Sequence, residues 1–158
     1  MMNLEVIKTL QVDSPVFKNL KKIPLKYTCD GENVNPPLSI DNIPDKCKSL
    51  TIIVDDPDAP VGVWDHWIVW DIKPNKVIPE NSIPGIEGIN SFQKHHYSGP
   101  CPPSGSHRYF FKIYALDKEL GLLPFSKKKE LEKAMEGHIL AAGGIIATYQ
   151  RKTKKVKV

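Results

Sequence analysis

Residues 54–60 read Val-Asp-Asp-Pro-Asp-Ala-Pro, and only Val61-Gly62-Val63 separates them from Trp64-Asp65-His66-Trp67. This run of acids and prolines is wedged between two apolar segments, Leu50 to Val54 and Trp67 to Ile72. Both segments are short, rich in β-branched and aromatic residues, and bounded by turn formers, so both are expected to be strands. Pro57, Pro60 and Gly62 should keep residues 57–65 out of either strand, because proline removes a ladder donor and sets turn geometry. A connection this short implies an antiparallel pair. Alternation along the strands puts Asp56 in phase with Leu50, Ile52 and Val54, and His66 in phase with Ile68, Trp70 and Ile72. A carboxylate and an imidazole are thus expected on one rim, each pointing toward an apolar layer.

Outward from this hairpin, residues 4–12 read as a first strand ending in the turn Asp13-Ser14-Pro15, and Ile23 to Tyr27 as a short edge strand. Residues 29–37 are dense in turn formers and read as loop, and Leu38-Ser39-Ile40 as a brief strand. Lys73 to Gly105 is proline-rich, mostly loop, and its scattered Ile, Phe and Tyr favour packing onto the body over disorder. His107 to Leu116 reads as a strand with His107, Tyr109, Phe111, Ile113 and Ala115 on one face and Arg108, Lys112 and Tyr114 on the other. Ser126 is the expected cap of one helix with Leu131, Ala134 and Met135 on its packed face and Gly137 at its stop. Three lysines in its first turn oppose the helix dipole. Ile139 to Tyr149 reads as a closing strand softened by glycine.

The chain has 158 residues, enough for one domain with a real core, and no internal repeat. Its 14 prolines are nearly twice the usual share of about 5%. The net charge of +4 is concentrated in residues 151–158, where five basic residues leave 17 basic against 18 acidic in the remainder. A basic tail on a neutral body does not mark a nucleic-acid binder. Neither a signal peptide nor a membrane span is expected from the sequence. Cys29, Cys47 and Cys101 are odd in number and unpatterned, which favours reduced, buried thiols in a cytoplasmic protein, with one disulfide as the alternative.

Several segments, taken in order, resemble one known family. They are Tyr27-Thr28-Cys29-Asp30-Gly31-Glu32, Asn35-Pro36-Pro37-Leu38-Ser39, Asp56-Pro57-Asp58-Ala59-Pro60, Trp64 with His66, Gly99-Pro100-Cys101-Pro102-Pro103 and Gly105-Ser106-His107-Arg108-Tyr109. Together they resemble the phosphatidylethanolamine-binding protein family, which includes the Raf kinase inhibitor proteins, and its bacterial and archaeal branch in particular. The resemblance implies a mostly β fold: a large antiparallel sheet packed on a smaller one, a β-sandwich with one or two peripheral helices. It implies a pocket for a small anion or a phospholipid head group, such as phosphate or phosphoethanolamine. Carried over, that pocket uses Asp56, Trp64, His66, His107 and Tyr109, walled by Gly99, Pro100, Cys101 and Pro102. A homodimer is compatible with the prokaryotic members. The short connection from Pro60 to Trp64 and the His95-His96 pair depart from the better-known eukaryotic pattern.

In such a pocket His66, His107 and Tyr109 would hydrogen-bond an oxyanion, backbone N–H groups of the proline-rich loop would add donors, and Asp56 would hold a histidine in one tautomer. Asp58, Arg108, His95 and His96 are expected to be structural or exposed. His66, His107, Asp56 and Cys101 are zinc-ligand types, but no His-x-x-x-His spacing occurs, so neither metal nor cofactor is expected. Ser104 and Ser106 lack a nucleophile elbow, so a binding protein is favoured over an enzyme. A protein inhibitor of a serine protease or kinase, and a hydrolase, are the alternatives.

Overall fold

The structure is a computed structural model describing residues 7–152. Its elements are β1 (Lys8–Thr9), β2 (Gln11–Asp13), β3 (Lys21–Lys22), β4 (Leu38–Asp41), β5 (Ser49–Asp56), β6 (Trp64–Ile72), β7 (Val77–Ile78), β8 (Ile86–Glu87), β9 (His107–Leu116), α1 (Lys128–Met135) and β10 (Ile139–Tyr149). The apolar segments flanking the acid-proline run form the centre of a seven-stranded sheet ordered β1-β10-β9-β5-β6-β8, with β3 also pairing β10. β10, β9, β5, β6 and β8 run antiparallel to their neighbours, whereas the two-residue strands β1 and β3 join β10 in parallel. A three-stranded antiparallel sheet, β2-β4-β7, covers one face. The main core lies between the sheets, built from residues such as Leu38, Ile40, Ile52, Trp67, Phe111 and Ile113. On the opposite face Leu131 and Met135 of α1 pack with Ile53, Ile68 and Trp70.

The two-layer β architecture with one helix agrees with the expected β-sandwich, and β9 spans the expected residues. Several local expectations are corrected. The first strand divides at Leu10: β1 joins the large sheet and β2 the small one, while residues 4–6 lie outside the described residues. Where the chain crosses between sheets, Leu10 N–H donates to Ala142 O, and a Cβ on Gly143 would meet Leu10 O at 2.1 Å. Glycine in β10 is therefore a requirement of that crossing. Residues 25–27 form a 3-10 turn rather than an edge strand, because Pro24, with φ −60°, has no N–H and starts a turn closed by Tyr27 N–H to Pro24 O.

Trp64 and Asp65 belong to β6 instead of the connecting turn. The helix is capped at Lys127, whose N–H donates to Glu130, while Ser126 Oγ donates to Leu123 O. The lysines that oppose its dipole find a reason in Lys128, whose ammonium reaches Asp65 at 2.6 Å and buried Asp55 at 3.7 Å.

The reading of all three cysteines as reduced is also corrected. Cys29 and Cys101 form a disulfide with Cα atoms 5.5 Å apart, and only buried Cys47 is free. The partners are separated by 72 residues, so no local spacing announces the pairing. Closing a loop of that length stabilises the fold by roughly 4 kcal/mol in the chain-entropy picture. A Cys29→Ser/Cys101→Ser double variant should lose about 2–5 kcal/mol in urea unfolding. An unchanged midpoint and slope would contradict this role.

Candidate functional site

The pocket begins with the turn after β5. Asp56 is buried at the strand end, where its Oδ1 accepts the Asp58 N–H at 2.7 Å. Its other oxygen, Oδ2, lies 2.7 Å from His107 Nδ1 at the start of β9. The second acid of the turn reaches the next residue: Asp58 accepts from Arg108 N–H (2.9 Å), Nε (3.0 Å) and Nη2 (2.9 Å). Two carboxylates of one turn thus clasp two successive residues of β9, one inside the core and one at the surface. Arg108, beside Asp58, holds that carboxyl down to about 2. The structural roles expected for Asp58 and Arg108 agree with this pairing.

His66 reaches the same cavity by a route that alternation does not foresee. Opposite β5, Val54 pairs Trp67 and Asp55 pairs Asp65, so His66 is the extra residue of a bulge. The bulge reverses the phase. Ile68 and Trp70 face the helix, while Trp67, Val69 and Ile72 face the main core. A second shift, between Leu50 and Ile52, accompanies Asp71, which has φ +53°. The inward direction expected for His66 holds, but the assignment of Ile68 and Trp70 to its face is corrected. Its ring stands edge-on to Tyr109, with centroids 5.3 Å apart. Its Nδ1 lies 2.6 Å from Ser98 O. A carbonyl only accepts, so Nδ1 carries the proton and Nε2 of the neutral ring keeps a lone pair. Burial lowers the His66 pKa, an effect only partly opposed by the Ser98 carbonyl and the Asp56 charge.

These groups line a cavity of about 190 Å³ together with Trp64, Phe92, Cys101, Pro102, Pro103 and the Ala59-Pro60-Val61 turn. Tyr109 is fully buried, and its hydroxyl lies near the Asp56 carboxylate and the Cys101 backbone without a well-formed hydrogen bond among the described residues. Burial first, then the neighbouring Asp56 charge, pushes its phenol pKa up, so it stays a neutral donor. Trp64 and Phe92 meet edge to face at 5.5 Å, and Phe92 meets His66 at 5.2 Å.

Of the expected wall, Cys101 and Pro102 line the cavity, whereas Gly99 and Pro100 stand behind it. Gly99 N–H donates to Asn33 Oδ1 at 2.7 Å, Pro100 O accepts Cys29 N–H, and Cys101 is bridged to Cys29. A Cβ on Gly99 would lie 2.3 Å from Tyr27 O. The proline-rich loop therefore spends this N–H on the neighbouring loop instead of offering it to a ligand.

Phe92 and Asn90 were missed by sequence reading. Buried Asn90 donates from Nδ2 to His66 O, His96 O and Ser98 Oγ, and its Oδ1 accepts the Phe92 and Lys94 N–H groups. It shapes the segment that carries both Phe92 and the Ser98 carbonyl. A lone Asn and Phe in an aperiodic loop were the only available signal. His95 and His96 are exposed, as expected. Among the described residues no group of three or more His, Cys, Asp or Glu side chains could hold a metal ion, and no helix is long and apolar enough to cross a membrane.

The Asp58 pairing carries a pH signature. Its folded pKa, about 2, lies below the ordinary carboxyl value of 3.8, so its stabilisation is present above the latter and lost as pH falls through the former. The stability gap between wild type and Asp58→Asn should therefore narrow as pH falls from 4 toward 2. A gap independent of pH in urea unfolding would contradict the clasp.

A model of the phosphatidylethanolamine-binding protein family matches residues 13–150. A UPF0098 protein of Pyrococcus horikoshii is 51% identical over 150 residues, covering 88% of this chain and 76% of that protein. A crystal structure of a phosphatidylethanolamine-binding protein homologue from Chlamydia trachomatis superposes with TM-score 0.88 at 38% identity, covering 92% of this chain and 99% of that one. YbcL of E. coli, described as a member of the mammalian family, gives TM-score 0.83 at 26% identity, covering 90% and 99%. A carboxypeptidase Y inhibitor solved with its proteinase gives TM-score 0.51 at 17% identity over 91% and 83% of the chains, a likeness of fold alone.

Proposed function

The chain belongs to the phosphatidylethanolamine-binding protein family, and from that premise we propose that its cavity binds a small oxyanion or the phosphorylated end of a head group, without turning it over. The observation that carries this reading is the convergence on one cavity of His66, the Asp56–His107 pair and the Tyr109 hydroxyl, which makes no well-formed hydrogen bond among the described residues. An unpaired hydroxyl in a buried site costs about 1–3 kcal/mol, which a ligand oxygen would recover. A volume near 190 Å³ is well above the roughly 10–15 Å³ that a single water requires. That suits a phosphate with a short substituent and leaves acyl chains outside.

Binding asks less of these residues than hydrolysis would. Cys101 is spent in the disulfide, and Ser104 and Ser106 are exposed on the loop before β9. Asp56 serves as the orienting partner of His107, so removing either group undoes one charge-assisted hydrogen bond worth roughly 1.5–3 kcal/mol. Calorimetric titration with inorganic phosphate should show at least tenfold weaker binding by Asp56→Ala and by His107→Ala. Unchanged affinity in both, with circular dichroism confirming their fold, would reject the site.

Inhibition of a protease or kinase is a separate proposal, since the fold is shared with an inhibitor and an inhibitory surface need not use the cavity. Such inhibition would survive a His66→Ala/His107→Ala double substitution, whereas loss of it would return the activity to the cavity.

A further inference from the structure

The polar atoms facing the cavity are unusual for an anion site. No Lys or Arg lines it, and the nearest arginine, Arg108, is spent on Asp58. Asp56 offers only lone pairs, both oxygens already near N–H donors. His66 gives its Nδ1 proton to Ser98 O, which leaves Nε2 as an acceptor. The Tyr109 hydroxyl and the Trp64 indole N–H are the side-chain donors of this lining that do not depend on a histidine's protonation, and the hydroxyl lies close to Asp56 and the Cys101 backbone. Against Asp56 and His66, a ligand oxygen without a hydrogen would set lone pair against lone pair. A ligand oxygen that carries a hydrogen would satisfy one of them.

We propose that this cavity selects oxyanions that bring a proton, such as phosphomonoester or dihydrogen phosphate monoanions, and discriminates against proton-free ones such as sulfate esters. The inference rests on the binding reading above and assigns the discrimination to His66 Nε2. The groups facing His66 from the packed elements are Asp56 on β5 and His107 and Tyr109 on β9, with Phe92 edge-on from the loop. Asp65, its neighbour on β6, is turned to the helix and Lys128. None of these is a lysine or arginine, and His107 is itself committed to Asp56. Burial lowers the His66 pKa and so favours the neutral ring, in which Nε2 is an acceptor. A buried acceptor left facing another acceptor is the kind of mismatch by which polar sites reject close analogues strongly.

The test compares phosphoethanolamine with ethanolamine O-sulfate at pH 5.5, below the phosphomonoester second pKa of about 6. There both ester groups carry a single negative charge and nearly the same shape, but only the phosphate holds a hydrogen. Isothermal titration of the wild-type protein should give at least tenfold tighter binding of the phosphate ester. Affinities equal within twofold would overturn the inference while leaving oxyanion binding intact. Heat from neither ligand would overturn both readings. In His66→Gln, whose amide can donate, the ratio should fall toward one. A folded variant that keeps the wild-type ratio would remove the role from His66, and if the variant fails to fold, the wild-type ratio alone decides.

Discussion

A carboxylate taken out of water must be met by donors, and the position of Asp56 makes that demand the organising constraint of the structure. Its side chain is held by the Asp58 N–H on one side and His107 on the other, so the end of β5 is bound to the beginning of β9. Asp58 and Arg108 repeat the tie one residue further along β9, at the surface. Removing one member of the buried pair leaves the other without its partner and costs roughly the 1.5–3 kcal/mol of a hydrogen bond to a charged group. The same contact that anchors two central strands therefore also fixes a histidine at the cavity. Stability and the candidate site share one set of atoms.

The walls follow the same economy. Gly99, Pro100 and Cys101 are joined to residues 27–33 through a side-chain amide, a backbone hydrogen bond and a disulfide, which gives a proline-rich loop a rigid backing. Asn90 does this for the opposite side, where a single amide group collects five hydrogen bonds and presents Phe92 and the Ser98 carbonyl to His66. Long loops without regular structure are commonly functional, and here backbone groups such as those of Asn90, Ser91, Ser98 and Gly99 are spent on holding shape. What faces inward is aromatic and acceptor-rich, with Tyr109 supplying the donor.

β9 could be read from its residues because it is regular: His107, Tyr109, Phe111, Ile113 and Ala115 keep one face throughout, and all but the first belong to the main core. β6 could not, since bulges near His66 and Asp71 reverse its phase, and a strict two-residue period cannot register an inserted residue. His66 was placed correctly on the strength of the hairpin and the family motif, while its neighbours were assigned to the wrong face. The Cys29–Cys101 bond joins positions 72 residues apart, and pairing at that distance is a property of how loops pack. Asn90 was invisible for a related reason: its partners are mostly backbone groups, which any sequence supplies. Alternation and turn chemistry thus reveal strands and the direction of their ends, and say little about what closes a cavity.

The central claim is that Asp56, His66, His107 and Tyr109 surround the space an oxyanion occupies. The most direct measurement is a crystal structure of the protein equilibrated with inorganic phosphate at pH 6. Tetrahedral density within hydrogen-bond distance of His66 Nε2, the His107 ring and the Tyr109 hydroxyl is the predicted result. Phosphate bound only elsewhere, or side chains of the protein filling the cavity in its place, would contradict the account.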